Sequence, residues 1–544
     1  MKPPTEGPTP RELLPTIQIY DTTLRDGTQR EGVCLSAADK LRIARRLDAL
    51  GVAFIELGWP GSNPKDTEVF ARARDVDWSV ARIAAFGATR RAGLGPEDDP
   101  QVSALLATGA PVCTLFGKTS ITHVRQVLRV APEENLRMIG ETVRYLVENG
   151  RQVVYDAEHF FDGYGEDAEY AMETLRAASA GGAEVLALCD TNGGTLPWVI
   201  EERVRAVRSA VSGAVGIHAH DDVGCGVANT LAAVRGGASH VQGTINGYGE
   251  RCGNGNLCSI VPTLELKMRR RCLAPGALAH LTQLARQVAE IANLAADSHA
   301  PYVGHSAFAH KGGVHVAAIR RFPRAYEHID PAQVGNETRV VMSELSGRGN
   351  VLAKAEEHEV TLDAGGEAEV LEDVKTREAR GFAFEAAEGS VSLLLRRRAP
   401  GYVPPFELLD YRVTVGQRRE EGASADAAIK IRVGSQVVHT AAEGNGPVSA
   451  LDAALRKALG VAYPEVEGIR LEDYKVRILD GVAGTAATVR VTIDSARGES
   501  RWTTMGASSN VLEASWTALA DGIEYGLLVA RETEGAGTSV KGAA

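Results

Sequence analysis

The chain has 544 residues, more than one hydrophobic core usually serves, so about two or three domains are expected, with cores large enough to need no staples. Its 44% hydrophobic and 24% charged residues describe a globular protein, and a formal charge of −11 without a basic cluster argues against nucleic acid or a membrane as partner. Seven cysteines, an odd number without C-x-x-C spacing, point to reduced thiols in the cytoplasm rather than a disulfide framework or a zinc knuckle.

In chain order, residues 1–15 are rich in Pro, Thr and Glu and read as a disordered leader, with neither a signal peptide nor a membrane span anywhere in the chain. Eight apolar strand-like runs follow: Ile17–Tyr20, Ala53–Leu57, Arg82–Phe86, Val112–Phe116, Gln152–Tyr155, Glu184–Leu188, Val215–Ala219 and His240–Gly243. Helical stretches separate them. Ser36 is placed to cap the first, with Asp39 complementing its dipole, and Gly236-Gly237 ends another. Eight strand–helix units within about 250 residues predict a (β/α)8 TIM barrel over residues 16–275. A doubly wound sheet is the alternative, but Asp21–Gly27 is not a Gly-rich first turn. Residues 276–403 read as helical linker subdomains. Residues 404–532 alternate strands with helices at Val448–Leu459 and Ser509–Leu527, an α+β domain of two β-rich halves. Residues 533–544 read as a disordered tail.

In a barrel of this kind, reactive groups belong at the C-terminal strand ends. Strand one ends toward Arg25 and Asp26, strand two holds Glu56, strand five runs into Asp156 and Glu158, and strand six into Asp190 and Thr191. Strand seven carries His218 and His220 in His218-Ala-His-Asp-Asp222. Alternate residues of a strand share a face, so these two imidazoles make half of a metal site. Asp26 completes a two-histidine, one-carboxylate set suited to Mn²⁺, Mg²⁺, Zn²⁺ or Fe²⁺, which the sequence does not rank. A lone His-x-His is more often an ordinary strand pair; its joint occurrence with Arg25-Asp26 at the proper strand ends reverses that balance. Glu56 reads equally as a direct catalyst and as a carboxylate holding a ligand or Arg25. Gly117-Lys-Thr119 lacks the first glycine of a P-loop and is set aside. Cys252 and Cys258 read as packing residues, and Arg396–Arg398 as a solvated face or linker.

Asp21-Thr-Thr-Leu-Arg-Asp-Gly-Thr-Gln29, Leu188-Cys-Asp-Thr-Asn-Gly-Gly194, His218-Ala-His-Asp-Asp222 and Gly243-Thr-Ile-Asn-Gly-Tyr-Gly-Glu-Arg-Cys-Gly-Asn254 resemble motifs of the acyl-transferring Claisen enzymes of the DRE-TIM metallolyase superfamily. That group includes 2-isopropylmalate, homocitrate and citramalate synthases. Gly58–Asp66 and Tyr155–Tyr164 are similar to the citramalate synthase branch, and Tyr411–Leu528 is similar to the regulatory domain that ends many of these synthases. Arg30 departs from the branch, where a small residue is expected.

The resemblance implies an acyltransferase that joins acetyl-CoA to pyruvate and hydrolyses the thioester to give (R)-citramalate and CoA, toward isoleucine. It implies a divalent metal (Mn²⁺, Mg²⁺ or Zn²⁺) on Asp26, His218 and His220 with Asn254 as a further ligand. Arg25 would stabilise the developing alkoxide, Thr191 would bond the keto-acid carboxylate, and Glu56 would stand behind them. Glu158 and His315 rank level as base, with Tyr326 as helper; a capping role in a Gly-rich turn is the plain alternative for His315. The C-terminal domain would dimerise, or assemble further, and bind isoleucine as effector, through loops such as Gly444–Ala450 and Thr504–Val511; a purely structural domain is the alternative. Phe86, Phe116, Phe160 and Phe161 suggest a small apolar pocket for pyruvate. The rival readings are 2-isopropylmalate or homocitrate synthesis, a lyase like that for hydroxymethylglutaryl-CoA, and a non-catalytic amino-acid sensor.

Overall fold

The computed structural model describes residues 16–418 and 422–539; the expected leader and the last five residues of the expected tail lie outside them. The chain forms two units, one of residues up to Phe308 with Ile329–Glu337, the other of Ala309–His328 with Thr338 onward.

The first unit is a closed barrel. Its strands are β1 (Gln18–Asp21), β2 (Phe54–Gly58), β3 (Arg82–Ala88), β4 (Val112–Lys118), β5 (Gln152–Glu158), β6 (Val185–Asp190), β7 (Ala214–Ala219) and β8 (His240–Gly243), each parallel to the next, with β8 paired to β1. Every one of these eight runs is a strand, with ends that differ by at most three residues. The first helix, Ala37–Leu50, starts as expected: Ser36 accepts from the Asp39 backbone N–H, Asp39 accepts from Ser36, and Gly51 ends the helix at φ 92°.

Alternation sorts each strand into an outward face under the helices and an inward face. Tyr20, Phe54, Ala84, Val112, Val154, Val185 and Ala187 fill the barrel's lower interior, with the His240 ring 5.2 Å from Tyr20 and 5.4 Å from Phe54. Two residues further along the same faces the side chains turn polar: Glu56, Thr114, Asp156, His218 and Gln242 are all buried. An apolar plug below and polar groups above place the chemistry at the C-terminal mouth. The core of this unit continues past residue 275, since Leu281, Leu284, Ala285 and Val288 of helix Leu281–Ile291 belong to it. Phe160 and Phe161 are buried in that core and do not line the mouth, against the expectation that they would.

In the second unit, β9 (Ala309–His310) pairs with β10 (Arg339–Val340), and a small helical core gathers Met342, Val351, Val370, Val374, Phe384 and Leu395. Two antiparallel sheets follow: β11 (Glu407–Arg418), β12 (Gly422–Val433) and β13 (Gln436–Gly444), then β14 (Arg470–Ile478), β15 (Val489–Arg497) and β16 (Ser500–Ser508). Helices Pro447–Leu459 and Val511–Ser539 follow the two sheets, and both halves share one core around Ile429, Leu455, Ile493 and Leu519. β13 and β16 escaped the sequence reading because Thr-Ala-Ala-Glu-Gly and Thr-Thr-Met-Gly-Ala carry little β-branched apolar alternation. Residues 533–539, expected as loose tail, continue the last helix. The arginine run is exposed at Arg397 and Arg398, as a solvated face would be, but its side chains are paired. Arg397 donates to Asp521 (2.7 Å) and Glu524 (2.6 Å), and Arg398 to Glu369 (3.0 Å) and Asp373 (2.7 Å).

Asp48 ties the first helix to the start of β3, accepting from the backbone N–H groups of Ser79, Val80 and Ala81 at 2.8–2.9 Å. Burial opposes its charge, but those three donors outweigh it and hold its pKa below the ordinary value. Asp48→Ala leaves the donors unmet and is expected to destabilise the barrel by about 2–4 kcal/mol, read as a lower thermal midpoint. The contribution is complete above the unfolded carboxyl's pKa of about 4 and is lost as pH falls through the folded value, so the deficit should shrink in acid.

Candidate active site

The loop after β1 is fixed by its own polar groups. Asp21, buried, accepts from the backbone N–H (2.9 Å) and hydroxyl (2.8 Å) of Thr23, whose hydroxyl oxygen accepts from the Ile245 N–H at 2.8 Å. Burial pushes the Asp21 carboxyl up to about 7 despite those bonds. This turn presents Arg25 and Asp26 over the barrel mouth. Arg25 Nε donates to Glu56 Oε2 at 2.6 Å and Nη1 to Asp26 Oδ2 at 3.1 Å, while the guanidinium lies 3.8 Å from the centre of the Phe86 ring. Glu56 spends its other oxygen on the Tyr20 hydroxyl (2.8 Å), which accepts in turn from Thr114 at 2.5 Å. Both Glu56 oxygens are thus engaged, and it holds Arg25 in place.

His218 and His220 project from β7 and its end toward Asp26. Their Nε2 atoms are 3.3 Å apart, and the Asp26 Oδ2 lies 3.2 Å from the first and 3.9 Å from the second. Burial opposes charge on Asp26, but Arg25 and then the two histidines outweigh it and hold its pKa far below the usual carboxylate range. Burial also disfavours charge on His218, yet Asp26 raises its pKa overall; His220, buried and beside His218, is pushed down to about 4. Asn254 pairs with His220 through an isolated backbone bridge. Its Oδ1, like Asp26 Oδ1, is buried without a hydrogen bond among the described residues.

Those orphaned oxygens test the expected metal. Three donor atoms from Asp26, His218 and His220 converge within 4.8 Å; the other Asp26 oxygen is buried without a donor, and so is the Oδ1 of Asn254, whose backbone bridges to His220. Such a set is costly unless a cation shares it, so the residues fit a divalent ion.

The loops after β6, β7 and β8 are clasped together. Arg251 donates to both Asp222 oxygens (2.7 and 2.8 Å) and to the Thr191 carbonyl at 2.8 Å. Gly253, at φ 99°, sits where a Cβ would fall 2.0 Å from the Gly247 carbonyl oxygen, so only glycine lets the chain turn back to Asn254. His159 adopts φ 57° at the end of β5 and gives its N–H to the Thr191 hydroxyl at 2.8 Å. Glu158 pairs with Lys118 at 2.5 Å. On the opposite wall, Trp59, Phe86 and Phe116 form a three-ring cluster with centroids 5.3–5.5 Å apart. Trp59 is held from behind: its backbone N–H donates to Asp66 (2.9 Å), which the buried Lys40 pairs with. The cavity between these walls is about 190 Å³ and is lined by Arg25, Asp26, Asp156, Glu158, Thr191, His218 and His220.

The barrel therefore carries eight of the ten residues given a site role in the sequence; of the two other strand-end carboxylates, Asp156 lines the cavity and Asp190 is bonded to Thr195 and Asn229. His315 and Tyr326 belong to the second unit, where their rings stack with centroids 4.2 Å apart. Trp59, Lys118, Gln242 and Arg251 were not singled out. Gln242 alone left a usable signal, a polar residue two places after His240 on the inward face of a barrel strand. Cys258 is buried as expected, whereas Cys252 is exposed in the 247–254 loop.

Residues 16–288 match the family model described as HMGL-like, residues 302–381 the homocitrate synthase post-HMGL domain-like model, and residues 385–527 the LeuA allosteric (dimerisation) domain. The barrel and its site thus define an enzyme of the HMGL-like class. Over 522 residues the chain is 50% identical to the (R)-citramalate synthase of Geobacter sulfurreducens, covering 95% of this chain and 99% of that one. It is 50% identical over 526 residues to that of a Synechocystis species, covering 94% and 96%. The homocitrate synthase AksA of Methanopyrus kandleri is more distant, 35% identical over 367 residues, covering 67% and 88%. The chain belongs to the (R)-citramalate synthase family, acyltransferase-type synthases.

Glu56→Gln keeps an acceptor for Tyr20 but removes the charge that holds Arg25. Activity is expected to fall by about 10²–10³-fold with the barrel still folded, checked by steady-state assay beside circular dichroism.

Proposed function

We propose that the protein condenses acetyl-CoA with pyruvate to (R)-citramalate and CoA, using a divalent ion held by Asp26, His218, His220 and Asn254. The observation that carries this reading is the convergence of Asp26, His218 and His220, with buried oxygens of Asp26 and Asn254 left without donors, in a cavity that Trp59, Phe86 and Phe116 also line. The bound ion would supply Lewis-acid polarisation of the keto group.

The chain's own residues do the rest. Among the described residues Arg25 Nη2 has no hydrogen-bond partner, so it is free to donate to the oxygen that gains charge as the new carbon–carbon bond forms. The Thr191 oxygen already accepts from His159, which leaves its O–H to donate to the keto-acid carboxylate. Trp59, Phe86 and Phe116 would pack the pyruvate methyl group and leave little room for a branched chain. A base must take a proton from the acetyl methyl group; the Glu158 carboxylate on the barrel and the His315 imidazole, stacked on Tyr326, both carry that chemistry. Water then hydrolyses the citramalyl thioester and releases CoA.

For the C-terminal domain we propose dimerisation and feedback by isoleucine, which its match to the LeuA allosteric (dimerisation) model supports. No helix of the described residues is long and apolar enough to cross a membrane, and the free cysteines are consistent with a cytoplasmic setting.

With pyruvate, 2-oxoisovalerate and 2-oxoglutarate offered separately, CoA release from acetyl-CoA should favour pyruvate and stop on chelation; preference for another keto acid would overturn the substrate assignment. Phe116→Ala should shift the ratio of kcat/KM for 2-oxobutyrate over pyruvate upward by about 10–100-fold. Isothermal titration with isoleucine should show saturable heat where leucine and valine do not, and no heat with any would end the regulatory reading.

A further inference from the structure

Gln242 is wholly buried in β8, with one end of its amide on each of two polar neighbours. Its Oε1 lies 2.8 Å from His218 Nδ1, and its Nε2 donates to Asp156 Oδ1 at 2.7 Å. Asp156 is itself 3% exposed. An amide has one donating and one accepting end, and Asp156 Oδ1 is the accepting atom in its bond to Gln242. Asp156 therefore takes the NH2 end, which turns the carbonyl toward His218 and requires a proton on Nδ1. A histidine that holds a divalent ion must be neutral, and a neutral imidazole carries a single N–H, so Nε2 is left with its lone pair. Nε2 is the atom that faces Asp26 Oδ2 at 3.2 Å and His220 Nε2 at 3.3 Å.

We propose that Gln242, oriented by Asp156, is a positioning residue that fixes the tautomer and ring plane of His218 so that its Nε2 lone pair points into the donor cluster. This rests on the divalent-ion reading above. The two histidines are held differently. His220 Nδ1 is buried without a partner among the described residues, and its place comes from the backbone bridge to Asn254. His218 alone is locked through its ring. The relay reaches from the floor of the pocket to the ligand atom, so its loss acts on metal affinity before it acts on substrate.

The test is metal titration of the full-length protein, stripped with chelator and then given Mn²⁺ or Zn²⁺ in competition with a chromogenic chelator. Gln242→Met keeps the volume but neither end of the amide, and is expected to bind metal about 10–100-fold more weakly than the parent at a similar thermal midpoint. Asp156→Asn retains an accepting carbonyl and should stay within about 3-fold of the parent, while Asp156→Leu should be as weak as Gln242→Met. The Asp156 pair decides the matter alone should Gln242→Met not fold. Parental affinity in Gln242→Met, or equal weakness of Asp156→Asn and Asp156→Leu, would overturn the relay while leaving the metal reading intact. A parental protein that binds neither ion would remove both.

Discussion

A buried chain of polar side chains crosses the barrel above its apolar plug, and the site depends on it. Thr114 donates to Tyr20, Tyr20 to Glu56, Arg25 to Glu56 and to Asp26; Asp26 faces His218, which reaches Gln242 and, through it, Asp156. Carboxylates and a guanidinium this deep are costly unless each is paired and hydrogen-bonded. Within this chain each group supplies the next one's partner. Two buried acceptors are left over: an oxygen of Asp26, which lines the mouth, and the Oδ1 of Asn254, which bridges to His220 through its backbone. Rigidity is the consequence, because no member can rotate without stranding its neighbour.

The walls around that floor are set by groups that never face the cavity. The pairing of β2 with β3 slips between Glu56 and Gly58, and beyond the slip Asp66, paired with Lys40, captures the Trp59 backbone N–H. Gly58 is obligatory there, since a Cβ would fall 2.5 Å from the Asp66 carboxyl carbon. The indole then closes the three-ring wall. On the other side Arg251 holds the β6, β7 and β8 loops as one body, so that Thr191, His220 and Asn254 keep their spacing. The second unit follows the same economy: Arg397, bonded to Asp521 and Glu524, joins the segment after helix Glu388–Arg396 to the last helix.

The sequence by itself determined the barrel, because a period of two in strands and 3.6 in helices is a local property, and all eight runs became strands in order. It also determined most of the site, since strand parity and strand ends put Arg25, Asp26, Glu158, Thr191, His218 and His220 at one mouth, with Glu56 buried behind Arg25. Tertiary structure alone decided what each of these touches. Glu56 could read as catalyst or support until Tyr20 and Arg25 were seen to occupy both its oxygens. Phe160 and Phe161 had the right chemistry for the pocket but belong to the core, and Trp59 took the place, because a one-residue slip in register and a distant ion pair decide where a ring points. Gln242 shows the same limit. Its residue type is fixed locally, but its role comes from neighbours 24 and 86 positions away, which only the closing of the barrel brings within a hydrogen bond.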